Sequence, residues 1–155
     1  MGPMDPEPPP PGSRDKPPPD STLFDDSRWP LLVLRLPGIL TASAQQACLD
    51  TLGAYLGRGE RFVLLVDLAR VDMVPLDQRW RQVEWFEQHE RALLACVQGT
   101  AVIITSPLMQ LSLSAILHFK RVDLPLAIFP DLRGAEIWAA QRLHEAGLTQ
   151  LHGQR

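Results

Sequence analysis

From Ser21 onward, short apolar runs alternate with stretches whose apolar residues recur at helical spacing. STLFDDS and PLLVLRLPG predict two short strands separated by a turn at Asp25–Pro30. In LTASAQQACLDTLGAYLGRG, Ala44, Cys48, Leu52 and Leu56, joined by Leu49 and Tyr55, form a helical stripe. Ser43 with Gln46 three residues later has the form of a capping box, and Gly57 and Gly59 end the helix. The run from Phe62 to Val66 reads as a strand covered on both faces. A second helix is expected from about Pro75 to Val97, then a buried strand in TAVIITS. Ser106 and Pro107 cap and start a third helix. LPLAIFP is a last short strand, and Asp131 caps a final helix that stops near Gly147. The order β-β-α-β-α-β-α-β-α predicts an α/β domain. Its sheet is mixed but mostly parallel, of about five strands, with four helices on right-handed crossovers.

Two helices depart from simple amphipathicity. Over 75–97, Val83, Phe86, Leu93, Leu94 and Val97 mark the expected core stripe. Glu90 falls inside that stripe, so it needs a cation or backbone donors, or must be protonated, or the helix end is less buried than the stripe implies. Trp85, Ala92 and Cys96 lie on the opposite side with His89, where Trp85 is either a binding anchor or a cover over its neighbours. Over 107–121, Leu108, Leu111, Ala115 and Phe119 form one stripe and Met109, Leu113, Ile116 and Leu117 an adjoining one. Together they wrap about two-thirds of the circumference, beyond the roughly 100° face of a one-sided helix. One-sided packing would leave Met109, Leu113 or Leu117 in water, to be met by other helices, a second copy or a partner.

Composition bounds the rest. Of 155 residues, 45% are hydrophobic and 21% charged, enough for a sizeable core. The net charge of −3 gives no reason to expect nucleic acid or an anionic membrane as partner. Residues 1–20 hold nine of the fifteen prolines and no aromatic or β-branched residue. They are expected to form a disordered, polyproline-like tail before a domain at 21–150. A passive spacer is its simplest role. The N-terminus has no basic-then-apolar leader, and no run of about 18 apolar residues occurs, so a cytoplasmic protein is expected. Cys48 and Cys96 are expected to be buried thiols. Thirteen Arg against two Lys, with abundant Ala, Leu and Pro, suggest a GC-rich bacterial source. No nucleophile elbow, phosphate loop or zinc-protease motif is present, and the four histidines are scattered. Neither an enzyme of recognisable kind nor a cofactor or metal is expected.

RWPLLVLRLPG at 28–38, RFVLLVDLARV at 61–71, GTAVIITSPLMQ at 99–110 and IFPDLRGAEIW at 128–138 carry a family likeness. Through them the chain resembles the STAS domain family, the fold of the bacterial anti-sigma-factor antagonists. It is most similar to a divergent branch of short STAS-like proteins related to lipid-binding domains, and the likeness covers nearly all of 22–148. The resemblance implies a working site in the turn after the strand ending in Asp, where a serine following an aspartate is phosphorylated to control a partner kinase. Aligned on Asp67-Leu68, the family's Asp-Ser-Ser place is occupied here by Pro75-Leu76-Asp77. Leu76 cannot accept a phosphoryl group, and no hydroxyl side chain lies between Asp67 and Thr100. Asp77 either stands in for the phosphate at a helix N-terminus or is the acid common in any first turn.

The expected function is therefore that of a non-catalytic, STAS-like regulator or scaffold acting through protein–protein interaction. Its partners would be another protein and a second copy of itself through the 107–121 helix. The candidate interaction residues are Asp77, Trp85, Met109, Leu113 and Leu117. The alternative is a carrier or sensor of a small apolar, lipid-like ligand, in a cavity lined by Met109, Leu113 and Trp85.

Overall fold

The computed structural model describes residues 23–71, 75–119 and 125–148, and of residues 112 and 115–119 the backbone; the tail at 1–20 lies outside them. Strands β1 (Phe24–Arg28) and β2 (Leu31–Arg35) precede α1 (Ala42–Gly57) and β3 (Phe62–Asp67). Then follow α2 (Leu76–Gln88), α3 (Glu90–Cys96), β4 (Val97–Ile103), α4 (Pro107–Phe119), β5 (Leu126–Phe129) and α5 (Leu132–Glu145). The sheet order is β1-β2-β3-β4-β5, with β1 antiparallel to β2 and every other pair parallel. It is the mixed five-stranded α/β sheet that the sequence predicts.

Details differ from expectation. The first turn shrinks to Trp29 and Pro30, because β1 continues to Arg28. Thr41, not Ser43, caps α1: its hydroxyl accepts from the Ala44 amide at 3.1 Å, while Gln46 donates to Asp50. The expected helix over 75–97 is two helices, making five among the described residues, and Val97 already belongs to β4. The break is at His89, whose φ of −111° and ψ of 15° leave the helical region. Glu90 consequently opens α3, exposed, where a carboxylate suits the helix dipole. The caps at Ser106 and Asp131 form as expected, accepting from the Met109 and Gly134 amides.

Each crossover from β2 to β5 steps to the neighbouring strand in one direction. Right-handed connections therefore put α1, α2–α3 and α4 on one face of the sheet. There Leu32, Phe62 and Leu64 pack with Leu49, Leu52, Leu56, Trp85 and Leu93. Further along, Val102 and Ile104 pack with Val71 and Met109. The opposite face, with Val33, Val63, Leu65 and Ala101, is closed by α5 through Ala135, Ala139 and Leu143. Side chains that alternate along β3 thus reach two different cores.

The edge strand β1 is sealed to α1 by aromatic rings. Tyr55 stacks on Trp29 at 5.5 Å, and the Arg58 guanidinium lies 4.5 Å from the Trp29 ring centre. The Tyr55 hydroxyl donates to Asp26 at 2.9 Å. Burial, reinforced by that hydrogen bond and the Asp26 charge, pushes Tyr55 up to about 12 against the opposing pull of Arg58. The folded state thus holds the phenolic proton more tightly than the unfolded chain does. Its contribution to stability is complete below the ordinary tyrosine value of about 10 and is lost as pH rises through about 12. Tyr55 is the single tyrosine in the chain. Ultraviolet titration of the folded protein should show almost no tyrosinate at the ordinary midpoint, and Asp26→Asn should bring the transition down. A wild-type midpoint at the ordinary value would refute this seal.

Candidate functional site

Strands β2, β3 and β4 end along one edge of the sheet, and the segments that follow them lead into α1, α2 and α4. Backbone bonds hold these segments together: the Leu36 amide donates to the Asp67 carbonyl at 3.1 Å and the Leu68 amide to the Ile103 carbonyl at 2.9 Å. The Asp67 carboxylate accepts from the Ala69 amide, and the Thr105 hydroxyl donates to the Ala69 carbonyl. A Cβ at Gly38 would stand 3.1 Å from the Arg70 carbonyl oxygen, so glycine is what lets the first two segments meet.

Between these segments and α2 lies a hollow of about 240 Å³. Leu36, Gly38, Ile39 and Leu40 line it from the first segment, and Leu68 and Val71 from the second. Pro75 and two α2 carboxamides, Gln78 and Gln82, line another part, and Met109 of α4 completes it.

Buried amides fix the start of α2 against this hollow. The Gln78 side chain donates to the Leu40 carbonyl at 2.9 Å. Gln45 of α1, the most buried polar side chain described, donates to the Gln78 carbonyl at 2.8 Å and accepts from Arg81 at 3.2 Å. Buried amides need such partners, and here the partners come from a helix, a loop and a second helix.

Around the same edge several large apolar side chains stand in water. Ile39 is exposed beside the hollow. Leu76 and Trp80 form an i,i+4 pair at the start of α2, and Leu108 and Leu111 lie in the first turns of α4. Trp80 is 61% exposed and Leu111 68%, far more than ring or chain edges passing the surface.

The structure redistributes the residues that the sequence singles out. Asp77 is exposed in the first turn of α2, where the resemblance puts the switch. Trp85 is corrected: it is 7% exposed, packed with Leu52 and Leu93, and stacked on His89 at 4.0 Å. It also lies beside Gly53 of α1, where an added Cβ would meet the ring at an ordinary contact distance of 3.7 Å. The expected core residues Phe86 and Leu94 are the exposed ones. Met109 is corrected in the same way, at 5% exposure. Leu113 is half-buried against the same cluster, so Leu113→Glu would damage the core before any interface. The Leu117 side chain lies outside the described residues. Met109 and Leu113 share one cluster while Trp85 belongs to another, so the three do not line a common cavity. Trp80 was not singled out by sequence and Leu76 only as the residue in the switch position, although their i,i+4 spacing on the otherwise polar first two turns was a readable signal. Nothing in the sequence distinguishes Gln45 or Gln78 from surface glutamines.

Among the described residues no group of His, Cys, Asp and Glu could hold a metal ion, and no helix is long and apolar enough to cross a membrane. Among solved structures, the chain is similar to an uncharacterized DUF3478-family protein from Shewanella loihica PV-4 with a SpoIIAA-like fold. The TM-score is 0.57 and the identity 19%, over 75% of this chain and 90% of that one. The fold is SpoIIAA-like. No protein-family model matches the chain, and no curated protein does. At this identity the likeness defines a STAS-like architecture and carries no activity with it. In that STAS-like frame, the apolar edge after β2, β3 and β4 includes the start of α2, the place that the sequence resemblance assigned to the switch.

Proposed function

We propose that this STAS-like domain is a non-catalytic regulator or scaffold that binds another protein, in the first instance a second copy of itself. The observation that carries this reading is the set of exposed apolar side chains Leu76, Trp80, Leu108 and Leu111 on the first turns of α2 and α4. Water contact at such side chains is relieved by a partner, and tryptophan is the residue most enriched at energetic centres of interfaces. Asp77, beside Leu76, gives the contact a fixed negative charge in place of a switchable one. Incubation with a STAS-directed kinase and ATP should leave residues 67–99 unmodified, since they contain no Ser, Thr or Tyr. Asp77→Asn should weaken partner binding by several-fold in calorimetry; unaltered binding would remove Asp77 from the contact.

The hollow favours a second reading, a carrier or sensor of a small apolar ligand. Its volume of about 240 Å³ falls below the roughly 300–1,000 Å³ of small-molecule sites. The protein-binding reading is therefore preferred. Equilibrium dialysis against short-chain fatty acids separates the two, since stoichiometric uptake would favour the ligand reading.

A further inference from the structure

We propose that the hollow is the docking place of the chain's own proline-rich N-terminal segment. The contact stands independently of any outside partner. The chain enters the described structure at Leu23, whose carbonyl accepts from the Arg35 amide at 3.0 Å. Because β1 runs antiparallel to β2, that entry point lies at the carboxyl end of β2. Leu36 follows immediately, and the hollow's lining at Gly38–Leu40 comes next. The root of the segment and the lining of the hollow are therefore neighbours. Prolines 17–19 stand four to six residues before Leu23, a reach of about 12–19 Å at ~3.1 Å per residue in extended polyproline form.

The chemistry also fits. Proline rings present flat apolar faces and a backbone with no internal hydrogen bonds, so a receptor must offer apolar surface and a donor. Leu36, Ile39, Val71 and Pro75 supply the first. Gln82 supplies the second, because its carboxamide lines the hollow and has no hydrogen-bond partner among the described residues. The hollow is small for a free ligand and suited to ring-sized side chains. Tethering places the segment at an effective concentration in the millimolar range, so even a contact with a dissociation constant of about 1 mM would be at least half occupied.

The test uses the full chain with a nitroxide attached through Ser13→Cys. The natural thiols Cys48 and Cys96 are buried and should escape the label. The expected result is a loss of roughly half or more of the NMR intensity of the Ile39 methyl and Gln82 side-chain amide signals. Ile137, exposed on α5 at the other face, should keep its intensity. Replacing Pro17, Pro18 and Pro19 together by Ser should restore the first two signals. The proposal is overturned by unchanged Ile39 and Gln82 signals, or by broadening that survives the proline replacement. It is also overturned if broadening appears when isotope-labelled, unspun protein is mixed with spin-labelled, unlabelled protein, since the occupant would then be the segment of a second copy.

Discussion

Met109→Asp is expected to unfold much of the domain, and Leu108→Asp, one residue earlier, to leave it folded. Met109 is almost fully buried among Val71, Val102 and Ile104, between the sheet and α4. Truncating a buried methionine costs about 2–5 kcal/mol. An aspartate there must also be desolvated without a partner or be held protonated, which adds further cost. A combined loss of about 4 kcal/mol or more is a large share of the ~5–15 kcal/mol that holds a domain together. Leu108 is half exposed, and a substitution there should move stability by no more than about 0.5 kcal/mol. Urea unfolding midpoints of the two variants measure the contrast. Equal losses would mean that α4 is not rotated about its axis as described.

Gln45→Ala should be the most damaging change to a polar side chain in the described structure. It removes the side-chain donor to the Gln78 carbonyl and the Arg81 guanidinium's acceptor on Gln45, and it opens a void beside α2. The expected loss is about 2–4 kcal/mol from unsatisfied groups and lost packing. Gln45→Met keeps most of the volume and should lose about 1–2 kcal/mol, the part due to hydrogen bonding. In both variants the Arg79 amide, which donates to the Pro75 carbonyl in the first turn of α2, should exchange faster with solvent. A wild-type exchange rate at Arg79 would show that Gln45 does not hold the start of α2.

The strands were legible because the runs at 31–34, 62–65 and 101–104 are apolar without interruption, as two-sided burial demands. Ser106 and Asp131 were legible as caps because capping is a local bond between neighbours in sequence. The rotation of α2 was not legible. Its buried side carries Gln78, Val83 and Trp85 with half-buried Gln82 and His89, a largely polar-looking stripe in which Gln78 meets α1 and a loop while His89 bonds the Trp85 carbonyl of its own helix. Periodicity placed Val83, Leu93 and Val97 in the core correctly but added Phe86 and Leu94, which turn away from it. In α4 the excess of apolar residues was correctly read, but both stripes were apolar and spacing could not choose between them. Val102 and Ile104 made the choice by packing on Met109. The candidate surface followed from the same reversal: the stripe of Leu108 and Leu111 was taken for the core and that of Met109 for the face left in water, and the structure has them the other way round.

On the proposed function, a partner covers the apolar side chains at the start of α2 and α4. Sedimentation velocity of the wild type and of Leu111→Glu across a wide concentration range tests this most directly. Leu111 is exposed, so the variant should keep its fold, checked by an unfolding midpoint equal to that of the wild type at a dilution where both are monomeric. Burying one such side chain contributes roughly 1.5–3 kcal/mol, and a carboxylate in its place opposes association. The expected result is a wild type that dimerises as concentration rises and a Leu111→Glu variant that remains a folded monomer. A wild type that stays monomeric throughout, or a variant that dimerises as the wild type does, would contradict it.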